Sequence, residues 1–272
     1  MLDILVLFRK SKHEDEELRF ALRSAERFVE DLGKVWIFGD RPEWLSDDRR
    51  ITEHVEHEYL ARPFRLRLPV RNHFLLTFLG SLIPDLSSEF IWMADDNILL
   101  EPVSRDFLAR PRAFEDLSKV TARGRGLWKD SLWRTYDTLL RLKYPALNYE
   151  SHVPHLFTRK QVWETYCEFE DFVTEDRHFG MVVLSAIFNY RMKHFPFEPT
   201  WLLSEGKFVG LYRTGIVGYS LPGLTGPTAL FEHLRQMTVG KAFLNFDDES
   251  FTPAVRHFLS EQFPDKCRYE RH

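Results

Sequence analysis

Cysteine is scarce: the 272 residues hold two, Cys167 and Cys267, with no CxxC or Cys/His spacing around either. That excludes a disulfide scaffold and leaves structural zinc without a basis. No run approaches the ~18 uninterrupted apolar residues of a membrane span. The opening MLDILVLFRKSKHEDEEL turns charged after a few apolar residues, so neither signal peptide nor anchor is expected and the protein reads as cytoplasmic. No Pro/Gly/Ser linker, repeat or low-complexity tract interrupts the chain, so one compact unit is expected. GxSxG, P-loop and GxGxxG motifs are absent, which leaves serine hydrolysis, Walker-type ATP use and Rossmann dinucleotide binding unsupported. Charge of one sign is missing as well. With 37 Lys+Arg against 41 Asp+Glu the net charge is −4, so overall charge gives no argument for nucleic acid.

What is present is aromatic side chains, 15% of residues with 24 Phe and 7 Trp, and a strand-helix-strand rhythm. Asp3–Phe8 is a short apolar run that predicts a buried strand. Leu18, Ala21, Leu22, Ala25, Phe28 and Val29 recur at three- and four-residue spacing and predict an amphipathic helix ended by Gly33. Residues 34–40 predict a second strand, completing a right-handed βαβ unit. A helix over 72–82 and a strand over 88–93 continue the pattern. That strand ends abruptly in Ala94-Asp95-Asp96-Asn97 before Ile98-Leu99-Leu100 resumes extended character. Further helices are expected at about 131–142, 159–169, 176–193 and 253–262, and residues 206–226 read as loops. This is an α/β fold, in which ligands bind beyond the carboxyl ends of the strands.

Four constellations could carry chemistry. Asp95 and Asp96 side by side after a buried strand cost desolvation and repulsion unless a cation or strong donors neutralise them. A hard divalent ion bridging to a diphosphate is one solution, and an ordinary acidic turn is the other reading. Thr174-Glu175-Asp176 precedes an amphipathic segment and is either an N-cap with first-turn acids or a general base aimed at a hydroxyl. Asn148-Tyr149-Glu150-Ser151-His152-Val153-Pro154-His155 matches no zinc signature; it reads as a substrate-lining loop with His152 and His155 as contacts, or as a turn fixed by Pro154. Asn245, Asp247 and Asp248 either add a metal or acceptor contact or simply turn the chain.

In this order the segments resemble the GT-A class of nucleotide-sugar glycosyltransferases. The likeness is to the branch shared by Stealth-type capsule transferases and phage glycosyltransferases of modified DNA bases. It is carried by Glu17-Leu18-Arg19 with Leu22-Arg23-Ser24, by the stretch from Val35 to Leu45, by Ser88 to Asp96, by Asn148 to His155, by Phe243 to Asp248 and by Phe263-Pro264-Asp265-Lys266. The resemblance implies a Rossmann-like mixed sheet flanked by helices in a single domain. Residues 1–110 would form the nucleotide-sugar half and 111–272 the acceptor half. It implies that Asp95 and Asp96 are the DxD-type pair holding Mn²⁺ or Mg²⁺ against a UDP-sugar, with Asp247 as a further ligand. Asp176 would be the base, with Glu175 beside it. On the same resemblance Phe8, Arg9, Asp40 and Asp95 would line the nucleotide, and Arg71 would meet the diphosphate. Ala94 stands where relatives often have Asn, and Asn97 where a third acid can occur, leaving open which acid ligates. The tryptophan-valine-aspartate opening associated with Stealth proteins, which transfer a sugar phosphate, is absent.

Local charge then bears on the acceptor. Arg62, Arg65, Arg67 and Arg71 lie in a stretch without acids, and Lys119, Arg123, Arg125, Lys129, Arg134, Arg141 and Lys143 are offset only by Asp130 and Asp137. Trp128, Trp133 and Tyr136 are interleaved. Basic groups for phosphates plus aromatics for an extruded base suit a DNA acceptor carrying a 5-hydroxymethylpyrimidine, with Arg123, Arg125, Trp128 and Trp133 as contacts. A bacterial surface glycan, a solvated basic helix face over core tryptophans, and a catalytically silent binding module are the alternatives.

Overall fold

The computed structural model describes residues 1–121, 126–174, 180–212 and 227–271. Two-residue strands and single turns aside, its strands are β1 (Leu2–Phe8), β2 (Leu32–Gly39), β3 (Thr52–Val55), β4 (Glu89–Met93), β5 (Asn97–Leu99), β6 (His155–Thr158), β7 (Phe208–Leu211) and β8 (Phe243–Phe246). The helices are α1 (Glu16–Phe28), α2 (His73–Ser81), α3 (Leu127–Arg141), α4 (Arg159–Phe169), α5 (Val183–His194), α6 (Pro227–Met237) and α7 (Pro253–Gln262).

The main sheet runs β3-β2-β1-β4-β6. Its first four strands are parallel, and β6 closes the edge antiparallel to β4. The chain builds outward from β1 through β2 to β3 and then returns to lay β4 on the other flank of β1. The strand order therefore reverses between β1 and β4, which opens a crevice at their carboxyl ends. Alternation sorts the side chains: Ile4, Val6, Ile91 and Met93 join one apolar cluster with α1 and the C-terminal elements. Leu5, Phe90 and Trp92 join the other, with α2 and α5. Both clusters draw on residues from either side of position 110, so no separate core marks that point.

A second, three-stranded sheet has the order β7-β8-β5. β8 lies parallel to β7 and antiparallel to β5, with Asn245 opposite Asn97. The turn Ala94-Asp95-Asp96 is thus where the chain leaves one sheet and enters the other. The result is a mixed α/β architecture with a central sheet flanked by helices, and among the described residues no helix is long and apolar enough to cross a membrane.

Two expectations fail for tertiary reasons. Of the helix expected over 176–193, residues 176–179 lie outside the described residues, 180–182 are not helical and α5 runs from Val183, its first-turn amides met from a distance: buried Glu150 accepts from Ser185 N at 2.8 Å and from Ser185 Oγ at 3.1 Å. The stretch 206–226 is not all loop, since β7 occupies Phe208–Leu211. Gly210 disguises that strand, and it is needed there: a Cβ would stand 2.5 Å from the Tyr212 ring. A second glycine, Gly39 (φ +132°), lets the ends of β1 and β2 meet, since a Cβ would collide with the Phe8 carbonyl.

Glu150 titrates against this cap. Burial pushes its carboxyl up, the Ser185 donors partly offset that, and the result is about 7 against an ordinary 4.5. The folded state then holds a proton that the unfolded chain has already lost, so stability falls as pH rises from about 4.5 to about 7 and is level above. Glu150→Gln keeps an acceptor for Ser185 N–H and removes the charge. It is expected to be more stable than wild type at pH 8, by on the order of 3 kcal/mol, and to lose that advantage at pH 5. Melting curves at the two pH values check this; an equal difference at both contradicts it.

Candidate active site at the carboxyl ends of the strands

Because β1–β4 are parallel, everything that follows their last residues collects on one edge. Phe8 ends β1 as a buried ring, Arg9 follows it exposed, and Asp40 after β2 is exposed with its carboxylate accepting from Lys10 N at 2.9 Å. Asp40 N in turn donates to Phe8 O at 3.0 Å. The segment from β3 to α2 crosses the same edge, carrying Arg62, Arg65, Arg67 and Arg71, all exposed. None of the four pairs with an acid among the described residues. Asn72 closes this segment as the cap of α2, its Oδ1 accepting from Leu75 N.

The acidic turn sits at the centre of this edge, with Asp95 and Asp96 half-buried. Burial pushes both carboxyls up. Asp95 is raised further by the charges of Asp96, Glu17 and Asp248. Asp96 is held back in part by the Asn245 amide and raised by Asp248 and Glu17. Glu17, only 4% exposed, is the site residue that the sequence reading passed over. Its signal was available: an acid adjoining the buried stripe of α1, where an apolar residue is expected. One of its oxygens accepts from Ser11 Oγ at 2.8 Å, and the other is buried without a hydrogen-bond partner. Asp247 accepts from Ser250 N at 2.9 Å and its charge is felt by Tyr212, while the neighbouring Asp248 raises both acids of the pair.

Among the described residues no three His, Cys, Asp or Glu are arranged to hold a metal ion. A pair of raised, mutually repelling carboxylates is nonetheless chemically suited to a cation, because Mg²⁺ and its relatives are usually bound by one or two carboxylates with phosphate oxygens and water completing the shell.

On the acceptor side the structure separates the expected residues. Trp128, in the first turn of α3, has its ring centroid 6.4 Å from that of His152, and His152 is 5.8 Å from Tyr212. His152 is exposed and has a left-handed backbone (φ +48°), a conformation uncommon for a residue with a side chain. These three rings form a rim beside Asp96. Trp133 is five residues along α3 from Trp128, about 140° around the helix, and lies on a different, exposed face. His155 is a core residue rather than a contact. It is 0% exposed on β6, its Nε2 is 2.8 Å from Ser151 Oγ, and its ring packs against Phe157 and Phe188. Arg123, Arg125, Glu175 and Asp176 lie outside the described residues. The residues that bracket the last two, Thr174 and Gly180, are close together at Asn72: a Cβ on Gly180 would stand 2.6 Å from the Asn72 amide and 3.2 Å from Thr174 N.

No family model matches the sequence, and no curated protein matches it. Among solved structures the chain is similar to the apo structure of WbbM, a bifunctional glycosyltransferase, with a TM-score of 0.54 and 13% identity over 97% of this chain and 50% of that one. The chain spans about half the length of that protein. At this identity the likeness is one of fold: a mixed α/β architecture shared with a glycosyltransferase.

Proposed function

We propose that the protein is a GT-A-type glycosyltransferase that moves a sugar from a nucleotide-sugar, a UDP-sugar, to an acceptor hydroxyl with the help of Mn²⁺ or Mg²⁺. The observation that carries this reading is the half-buried Asp95-Asp96 pair at the carboxyl end of β4, where the strand order reverses. The fold likeness to a glycosyltransferase supports it. Phe8, Arg9 and Asp40 are on the same edge and bind the nucleotide in this reading. Arg71, an exposed guanidinium, meets the diphosphate. Asp95 and Asp96 hold the cation, whose charge stabilises the departing diphosphate. Asp176 takes the proton of the acceptor hydroxyl as its oxygen bonds to the anomeric carbon and the carbon–oxygen bond to the diphosphate breaks, with Glu175 beside it. Thr174 and Gly180 bring the two ends of their segment to Asn72, next to Arg71.

For the acceptor we favour the primary hydroxyl of a 5-hydroxymethylpyrimidine in DNA. The four arginines between residues 62 and 71, paired with no acid among the described residues, have exposed Phe64 among them and exposed Tyr59 just before them, and offer cations for phosphates at the same edge as the acidic turn. The ring rim of Trp128, His152 and Tyr212 offers a stacking surface for a base taken out of the duplex.

Asp96→Ala is expected to lower Mn²⁺-dependent consumption of UDP-sugar by about 100-fold or more, and Asp176→Asn to lower turnover by a similar factor while UDP still binds. Equal consumption by wild type and Asp96→Ala contradicts the metal assignment. Incubation of hydroxymethylcytosine or hydroxymethyluracil DNA with a panel of UDP-sugars, followed by mass measurement of the nucleosides, tests the acceptor. Transfer to an oligosaccharide with no mass shift on either DNA favours a surface glycan instead. Affinity for duplex DNA is expected to fall steeply with salt, and Arg65→Glu with Arg67→Glu to reduce the slope of log affinity against log salt by about 2.

A further inference from the structure

The acidic turn and the ring rim are bound to one another through two buried side-chain amides. Asn97, 1% exposed, uses its whole amide: Oδ1 accepts from Ala94 N at 3.1 Å, and Nδ2 donates to Asp96 Oδ1 at 3.0 Å and to the His152 carbonyl at 3.3 Å. Asn245, 0% exposed, donates from Nδ2 to the Asp96 carbonyl at 3.0 Å and accepts at Oδ1 from the Tyr212 hydroxyl at 2.5 Å. The Tyr212 ring faces His152. The contacts therefore close on themselves, from His152 through Asn97, Asp96, Asn245 and Tyr212 back to His152. One member reports on both functions: the Tyr212 hydroxyl orients the amide that holds the acidic turn, while its ring forms part of the rim.

We propose that Tyr212 is a positioning residue that fixes the acidic turn through Asn245 and couples it to the ring rim, so that occupancy of either strengthens binding at the other. The proposal rests on the donor-site reading given above. Without the hydroxyl, Asn245 Oδ1 is left buried and unpaired, and its amide is free to rotate and withdraw Nδ2 from Asp96. Binding free energies of coupled sites are reciprocal, so the effect must be seen from both sides.

The test measures Mn²⁺ binding by electron paramagnetic resonance with UDP present. Tyr212→Phe keeps the ring and is expected to weaken Mn²⁺ and UDP binding about tenfold, and to abolish the improvement in acceptor affinity that bound Mn²⁺ and UDP give the wild type. Asn245→Asp, which keeps the acceptor for Tyr212 and loses the donor to Asp96, is expected to weaken Mn²⁺ binding at least as much. His152→Ala, which removes the ring and keeps the carbonyl that Asn97 binds, is expected to raise the acceptor KM with Mn²⁺ binding unchanged. Tyr212→Phe that folds and binds Mn²⁺ and UDP like wild type overturns the proposal and leaves the donor site standing. Wild-type protein that binds neither overturns the donor-site reading and this proposal with it.

Discussion

The architecture turns on a handover between two sheets. β4 belongs to the parallel sheet and β5 to the smaller antiparallel pairing, and only Ala94, Asp95 and Asp96 separate them. Such a junction breaks the backbone ladder on both sides, so its polar groups must be met by side chains. Asn97 and Asn245, opposite one another across β5 and β8, do this from below the surface. Replacing either amide with an apolar group would leave backbone groups of Ala94, His152 or Asp96 without their side-chain partners. The position of the two carboxylates is consequently a property of the sheet junction rather than of a free loop.

That placement has an electrostatic cost. Asp95 and Asp96 lie near Glu17 and Asp248, whose charges push both carboxyls further up. Packing supplies the compensation: Glu17 is fixed in the first turn of α1 by Ser11, and α1 is tied to β5 by Ser24, whose Oγ accepts from Leu99 N at 3.0 Å. At the far end of α1, buried Glu270 receives Arg23 through two hydrogen bonds, at 2.6 and 2.9 Å. The negative turn is thus held against its own repulsion by elements whose burial lies elsewhere, as expected of a site poised for a positively charged ligand.

Local periodicity made half of this legible. The β1-α1-β2 unit, the strand ending at Met93, the helix over Arg159–Phe169 and the helix over Pro253–Gln262 all follow from side-chain spacing that acts within a few residues, although Gly33, expected to end α1, lies inside β2 and the helix stops at Phe28. What escaped depends on partners distant in sequence. The first turn of α5 is met by Glu150, more than thirty residues upstream, and no local cap announces it. β7 hides behind Gly210, whose role is to admit two rings. His155 looks like a ligand beside His152, yet strand alternation from β6 turns it into the core, while His152 lies before the strand on the exposed side. Charge clusters misled less: the arginines between 62 and 71 are exposed, as a stretch without acids suggests.

The closed ring of contacts also constrains how a reaction at this edge could work. A transition state for displacement at an anomeric carbon needs the leaving diphosphate and the attacking hydroxyl in line, and a small misplacement of either costs rate steeply. If the acids and the rim were mounted on separate loops, each would have to be ordered afresh on binding. Here the same two asparagines hold the turn and reach the His152 carbonyl or the Tyr212 hydroxyl, so the acidic turn and the ring rim share one frame. Within that frame the two asparagines are buried and each amide both donates and accepts, which is the condition under which polar groups act as preorganised rather than reorganising dipoles.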